Sequence, residues 1–115
     1  SGYQLIEVPL EAIAWGRSGD KGNKANIGII ARHPNLLPYI WDTFSEEKIV
    51  EIFSHFLEND KIDRHYLPGI SGVNYVLHDV LGGGGTTSLR NDPQGKGYAQ
   101  ILLSCKISVP KNLLV

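Results

Sequence analysis

The chain has 115 residues, which is the usual size of one domain built around one hydrophobic core. Its 11 Lys and Arg residues nearly balance 12 Asp and Glu residues, so no overall charge favours binding to nucleic acid or to an anionic membrane. The lone Cys105 excludes an internal disulfide, and no apolar run approaches the length of about 20 residues that a membrane helix needs. We therefore expect a single cytoplasmic domain over residues 1–115.

The first half of the chain predicts a β-hairpin and then a helix. One strand is predicted over residues 5–15 and a second over residues 26–32, where apolar and polar residues alternate. Between them, residues 16–23 are rich in glycine and predict a loop. Thr43 and Glu46 predict a capping box, because they lie three residues apart before an apolar pattern at helical spacing. That pattern consists of Ile49, Ile52, Phe53, Phe56 and Leu57.

The middle of the chain predicts another strand and a second helix. The strand, over residues 62–67, should end at Pro68, which lacks a backbone donor and restricts the residue before it. Ser71 can cap a helix over residues 71–81, and Gly82 can end it. The apolar stripe of this helix consists of Val73, Val76, Leu77, Val80 and Leu81.

The last part of the chain predicts a second hairpin, with strands over residues 86–91 and 98–109 and a turn at residues 92–95. The resulting order is ββαβαββ, which predicts an α+β sandwich with a mostly antiparallel sheet and two amphipathic helices on one face. The other sheet face, with Leu102 and Ile30, is expected to be incompletely covered. Exposed apolar surface of this kind predicts self-association or a partner domain.

Residues 16–23 and Asn26 concentrate polar side chains on a flexible backbone. Glycines allow backbone N–H groups to face an anion, and Arg17 and Lys21 can offset the charge of a phosphate or carboxylate. The segment lacks the Gly-Lys-Ser/Thr end of a Walker loop and the G-x-G-x-x-G spacing of a dinucleotide fold. A ligand-binding loop and a solvated hairpin are both compatible with it. The candidate ligand-binding residues here are Arg17, Ser18, Asp20, Lys21, Asn23 and Asn26.

A second candidate site surrounds the predicted end of the second helix. Ordering four consecutive glycines, residues 82–85, costs much backbone entropy. They therefore indicate either a mobile segment at the rim of a pocket or a helix C-cap followed by a loose connection. His78 is the candidate catalytic acid or base, since imidazole titrates near neutral pH; the alternative is a hydrogen-bonded packing residue. This region adds Asn74, His78, Gly82, Gly83, Gly84 and Arg90 to the candidate ligand-binding residues.

Other chemistry has little support in the sequence. Cys105 stands alone on the apolar face of the last predicted strand, and the four histidines show no paired-ligand spacing, so neither a metal nor a cofactor is expected. Ser18 lies in no recognisable nucleophile elbow, so nucleophilic catalysis is not predicted.

The order of these motifs resembles the AtuA-like ferredoxin-fold domain of the acyclic terpene utilisation family. The resemblance implies a ferredoxin-like sandwich without an iron–sulfur cluster, and the lone cysteine independently excludes a four-cysteine cluster within one chain. It also implies a role in the catabolism of acyclic terpenes such as citronellol and geraniol, whose intermediates are carried as CoA thioesters. The matching motifs lie at residues 17–23, 26–28, 31–32, 67–68, 74, 77–78, 81–84, 88–90, 92 and 94–96.

Three functions are compatible with these observations, and whether the chain is an enzyme stays open. In the first, the chain is an accessory or subunit domain that associates with itself or with an AtuA-like core and contributes a polar anion-binding loop to a shared site. Alternatively, it is a small enzyme or binding protein for an anionic acyl compound, a carboxylate or a CoA thioester. The third alternative is a purely structural oligomerisation module. The first two require residues 16–23 and 82–85 to converge on one cavity.

Overall fold

The computed structural model of the chain describes residues 4–81 and 97–114. Six strands lie in these residues: β1 (Leu5–Pro9), β2 (Ala14–Lys21), β3 (Lys24–Ala31), β4 (Ile62–Leu67), β5 (Gly72–Leu77) and β6 (Lys106–Pro110). The helices described are α1 (Leu37–Thr43), α2 (Glu46–Phe53) and α3 (Gly97–Leu103). Short 3₁₀ turns occur at Leu10–Ala12, Pro34–Leu36, Ser54–Phe56, Pro68–Ile70 and Lys111–Leu114. None of the helices in the described ranges has the length and apolar character needed to cross a membrane.

The strands form two antiparallel sheets. In the larger sheet β2, β3, β5 and β4 lie side by side in that order, and β1 pairs with β6 in a separate two-stranded sheet. The β2–β3 hairpin turns at Gly22, whose φ of 65° is a left-handed conformation that side chains disfavour. The α+β class and the antiparallel pairing agree with the sequence-based expectation.

One face of the four-stranded sheet packs into the hydrophobic core. In β3 the buried residues alternate with exposed or half-buried ones, and in β5 Val73, Tyr75 and Leu77 are buried in the same way. Helix α3 lies against β2, where a side chain added at Gly16 would come within 3.0 Å of Leu103 Cδ1. Gly16 therefore allows the helix to approach the strand closely.

The predicted loop over residues 16–23 is wrong for most of its length. β2 continues through Lys21, and Arg17, Ser18 and Asp20 all pair with residues of β3. Glycine alone does not favour the extended conformation, but here the backbone pairing with β3 holds the glycines of β2 in the strand. Only Gly22 and Asn23 form the turn.

The helix predicted after Thr43 exists, but its cap lies elsewhere. Thr43 is the last residue of α1, and Ser45 is the N-cap of α2, with its Oγ accepting a hydrogen bond from the Lys48 N–H at 3.2 Å. Glu46 and Glu47 occupy the first turn, where negative charge is favourable. The predicted Thr43–Glu46 capping box is therefore wrong by two positions.

The helix predicted over residues 71–81 is wrong, because residues 72–77 form β5. β5 lies between β3 and β4, Val73 and Tyr75 are buried on its core face, and their alternation with Asn74 fits a strand. Ser71 does not cap a helix; it adopts a left-handed conformation with φ of 55° at the end of a 3₁₀ turn. Asn74 consequently lies within β5, and His78 is the first residue after it.

The single strand predicted over residues 98–109 divides into α3 and β6. Tyr98, Ala99 and Leu102 are buried at helical spacing, and Cys105 is a half-buried residue between the two elements. Leu102 is buried, so its predicted place on an open sheet face is wrong. The predicted strand over residues 86–91 and its turn lie outside the described residues.

The order of the described elements is thus βββααββαβ rather than the predicted ββαβαββ. The prediction merged β1 with β2, counted β5 as a helix and left α3 inside a strand.

Candidate functional site

Four residues form a row across the exposed face of the larger sheet, one from each strand. Arg17 in β2 pairs with Gly28 in β3, Gly28 pairs with Asn74 in β5, and Asn74 pairs with His65 in β4. Because Gly28 carries no side chain, the row has a gap between Arg17 and Asn74. The exposed face is therefore concave at its centre.

The next row along the strands is apolar. Trp15 pairs with Ile30, and Gly72 lies between Ile30 and Leu67, which leaves a second gap beside the first. Ile70 packs over this gap, since a Cβ at Gly72 would lie 3.2 Å from Ile70 Cγ1. The side chains of this row and Ile70 are 40–57% exposed: Trp15 54%, Ile30 40%, Leu67 40% and Ile70 57%.

Together the two rows line an open cavity of about 360 Å³, which we call the trough. Gly28 and Gly72 form its floor, and the side chains around it are Arg17, Ile30, His65, Leu67, Ile70 and Asn74. A smaller adjoining cavity extends the trough toward Trp15. Within the described part of the chain, a Cβ at Gly28 would meet Asn74 Oδ1 at 3.8 Å and the Arg17 carbonyl oxygen at 3.9 Å and nothing closer. Gly28 thus keeps the trough open without being needed for packing.

The polar groups at the trough are oriented and available. Asn26 Nδ2 donates to Asn74 Oδ1 at 3.2 Å, which directs the Asn74 amide so that its own N–H groups remain for another acceptor. Among the described residues, the Arg17 guanidinium has no hydrogen-bond or ion-pair partner. Arg17 and Asn74 therefore offer donors at the edge of an apolar cavity for which residues 4–81 and 97–114 supply no acceptor.

His78 belongs to a different cluster at the end of β4 and β5. Its Nε2 lies 2.6 Å from Asp63 Oδ2, and this hydrogen bond lowers the pKa of the Asp63 carboxyl group. The His78 backbone N–H donates to the Lys61 carbonyl oxygen at 3.1 Å. These contacts fix His78 to β4, and His78 is not among the residues that line the trough.

The tip of the β2–β3 hairpin is tied to the chain that follows β5. Asn23 Nδ2 donates to Asp79 Oδ1 at 3.1 Å, and the Asn23 carbonyl oxygen accepts from the Val80 N–H at 2.9 Å. Asn59 Nδ2 holds the other carboxylate oxygen of Asp79 at 2.9 Å. Asn23 and Asp79 therefore have structural partners.

The predicted site residues do not all lie together. Arg17, Asn26 and Asn74 meet at or beside the trough, whereas Lys21 lies four residues from Arg17, about 13 Å along the strand. Ser18 faces the opposite side of the sheet, where its Oγ accepts from the Ala99 N–H at 3.4 Å. Asp20 is exposed near the hairpin tip. Gly82, Gly83, Gly84 and Arg90 lie outside the described residues.

Sequence reasoning missed His65, Gly28, Gly72 and the apolar side of the trough. The predicted strand over residues 62–67 already contained His65 and Leu67 on one face, by alternation. Residues 72–77 were predicted as a helix, so the pairing of Asn74 with His65 across neighbouring strands was not expected.

Neither a thiolate nor a metal centre is supported in the described residues. Burial raises the pKa of the Cys105 thiol, and its Sγ donates to the Ile101 carbonyl oxygen at 3.4 Å, so Cys105 is a poor nucleophile. The described residues contain no group of three His, Cys, Asp or Glu side chains placed to hold a metal ion.

Comparison with known families decides the relationship of the chain. The family model of the AtuA ferredoxin-like domain matches residues 8–108, which is most of the chain. The chain belongs to this family. In this AtuA ferredoxin-like domain, every residue lining the trough falls inside the matched range. The comparisons with curated proteins and with solved structures gave no significant match.

Proposed function

We propose that this AtuA ferredoxin-like domain is an accessory domain that docks onto an AtuA-like core through the exposed face of its four-stranded sheet. The single observation that carries the proposal is the trough, where Arg17 and Asn74 offer donors at the edge of exposed apolar side chains. In the complex, these two residues and His65 contribute to a site shared by both proteins. The context of acyclic terpene catabolism, which the resemblance implies, is part of this proposal.

The apolar side of the face supports docking. Trp15, Ile30 and Ile70 are neighbours that each expose 40–57% of their surface, and exposed apolar clusters of this kind mark protein interfaces. The Arg32 guanidinium lies 4.4 Å from the centre of the Trp15 ring, and tryptophan and arginine are the residues most enriched at interface centres. A partner that covers this face removes the apolar area from water.

The polar side of the face supports a shared site rather than simple burial. Covering the Arg17 guanidinium with an apolar partner would bury a charge without an acceptor, which is strongly unfavourable. The docked partner, or a ligand held between the two proteins, must therefore supply an anionic or polar acceptor. This requirement favours a shared binding site over a purely structural contact.

The docking proposal is tested by measuring the affinity of the chain for an AtuA-like core protein from the same genome. The double variant Trp15→Ser/Ile30→Ser should weaken binding at least about tenfold in calorimetry, because both side chains lie on the docking face. Leu5→Ser is the matched control, since Leu5 is 60% exposed but belongs to β1. Its affinity should equal that of the unchanged chain.

Two results would contradict docking on the core. One is an equal loss of affinity in the double variant and in Leu5→Ser, which would show that the face is not specific. The other is a stable homodimer of the chain alone that the double variant converts to monomer in sedimentation equilibrium. In that case a second copy, and not an AtuA-like core, covers the sheet.

A further inference from the structure

We propose that the trough binds a small aliphatic monocarboxylate, with its carboxylate group on Arg17 and Asn74 and its chain against Ile30, Leu67 and Ile70. This inference names the ligand of the shared site and rests on the proposed function for its role in the complex. The size of the trough, the chemistry of its polar row and the position of its apolar row support this ligand.

The size of the trough limits the ligand to a small molecule. Its volume of about 360 Å³ lies at the lower end of the range of small-molecule sites. At about 30 Å³ for each water-sized group in a liquid, this volume holds about 12 non-hydrogen atoms. A ligand with a large nucleotide carrier can place only its smaller end in the trough.

The polar row matches one carboxylate group better than a phosphate. Among the described residues that line the trough, Arg17 carries the one permanently charged side chain, and the Asn74 amide, oriented by Asn26, supplies a neutral donor. The guanidinium fork is suited to the two oxygens of a carboxylate. Phosphate sites usually add several backbone N–H groups from a glycine-rich loop or a helix N-terminus, whereas this row lies within paired strands. The charge and donors therefore favour a monoanion.

The apolar row fixes the direction of the chain. Ile30 and Leu67 lie two residues along their strands from Gly28 and His65, which is about 7 Å from the polar row. Ile70 closes the far side above Gly72. A carboxylate held at the polar row thus directs its aliphatic chain onto these side chains. If the carboxylate accounts for three of the 12 atoms, about nine carbons fill the rest.

The test measures binding of straight-chain monocarboxylates, from butanoate to dodecanoate, to the isolated full chain by calorimetry. Affinity should rise about fourfold for each added CH₂ and level off near ten carbons, where the trough is filled. The primary alcohols of equal length should bind at least about tenfold more weakly, because they lack the charge that Arg17 recognises. Alkyl phosphates of equal length form a second comparison series.

Three variants separate the trough from other surfaces. Gly28→Val should reduce decanoate affinity at least about tenfold while retaining the circular dichroism spectrum, because the nearest atoms to a new Cβ are 3.8 Å away. Arg17→Gln should remove the preference for decanoate over decanol. Lys21→Gln makes the same change of charge about 13 Å away, on the same strand, and should leave both affinities unchanged.

The results that overturn this inference differ from those that overturn docking. Absence of saturable decanoate binding at millimolar concentration, equal binding of decanol, or tighter binding of decyl phosphate would each reject an aliphatic monocarboxylate. So would full affinity in Gly28→Val. Core association is measured without ligand, so the docking proposal survives these outcomes, and loss of core association does not affect decanoate binding to the chain alone.

Discussion

At the scale of single residues, Tyr75 connects the sheet to the helical layer through one buried hydroxyl group. The hydroxyl donates to the Phe44 carbonyl oxygen at 2.7 Å, and the side chain is fully buried. Burial raises the pKa of Tyr75 above its ordinary value, and the nearby Arg64 charge opposes this only in part. The neutral phenol is therefore the form that the fold stabilises.

Replacing Tyr75 by Phe tests this contact. Tyr75→Phe should lower the free energy of unfolding by about 1–2 kcal/mol, because the Phe44 carbonyl oxygen keeps only the longer 3.4 Å bond from Arg64 Nη1. Urea unfolding measures the change. Tyr39→Phe is the control, since Tyr39 has no hydrogen-bond partner among the described residues, and its effect should stay below about 0.5 kcal/mol.

The same residue also gives the alkaline stability of the chain a predicted direction. Because the pKa of Tyr75 is raised on folding, its stabilising contribution is complete below pH 10.0 and is lost as the pH rises above that value. The difference in unfolding free energy between the unchanged chain and Tyr75→Phe should therefore shrink above pH 10. A difference that grows there would contradict the assignment of a buried neutral phenol.

At the scale of elements, the success of sequence reasoning depended on which pattern was unambiguous. In β3 the alternation of apolar and polar residues fits a strand alone, and the strand predicted over residues 26–32 is largely confirmed. In β5, Val73, Val76 and Leu77 also fit helical spacing, so periodicity did not decide between the two structures. The β-branched and aromatic side chains, Val73 and Tyr75 among them, favour a strand and are the signal that decides correctly.

The site was less predictable than the fold because it depends on pairing between distant strands. Arg17, Asn26 and Asn74 were recognised as candidates, but their common row with Gly28 and His65 follows only from the sheet order β2-β3-β5-β4. Strand order is a property of tertiary packing, and no local motif records it. The trough therefore cannot be predicted from the order of motifs along the chain, even when each of its residues is recognised as a candidate.

The two floor glycines offer a comparison within neighbouring strands. A Cβ at Gly72 would lie 3.2 Å from the Ile29 carbonyl oxygen, a backbone atom held in the sheet, whereas the described neighbours of a Cβ at Gly28 lie at 3.8 Å or more. Gly72→Ala should therefore destabilise the chain by about 1–3 kcal/mol. Gly28→Ala should be neutral or stabilising by up to about 1 kcal/mol, since alanine restricts the unfolded chain. Urea unfolding of both variants checks this order, and equal effects would contradict it.

At the scale of the whole molecule, both sheets share one hydrophobic core. Ile107 and Val109 of β6 belong to the same buried cluster as Ile29 of the larger sheet, and α1 packs against β6. A shared core predicts that the two sheets unfold together.

Ile107→Ala tests this cooperativity. The change should lower the free energy of unfolding by about 2–4 kcal/mol, because it leaves a cavity at a fully buried position. Tryptophan fluorescence, which reports Trp15 and Trp41 near the larger sheet, should shift to lower urea by the same amount as circular dichroism. Leu5→Ala, an exposed change in the same small sheet, should shift neither signal. Separate transitions for the two probes would contradict a single unit.

Arg17 and Ser18 are consecutive in the chain and stand back to back in β2, one toward the trough and the other toward α3. An alignment of relatives would record Arg17 and Ser18 as one motif, but the two residues are under different selective pressures. The residue type at the position of Arg17 should vary with the chemistry of the ligand or partner proposed for the trough. The residue type at the position of Ser18 should vary with the way α3 packs on β2. Relatives that replace one of these residues while retaining the other would show that the two positions evolve independently.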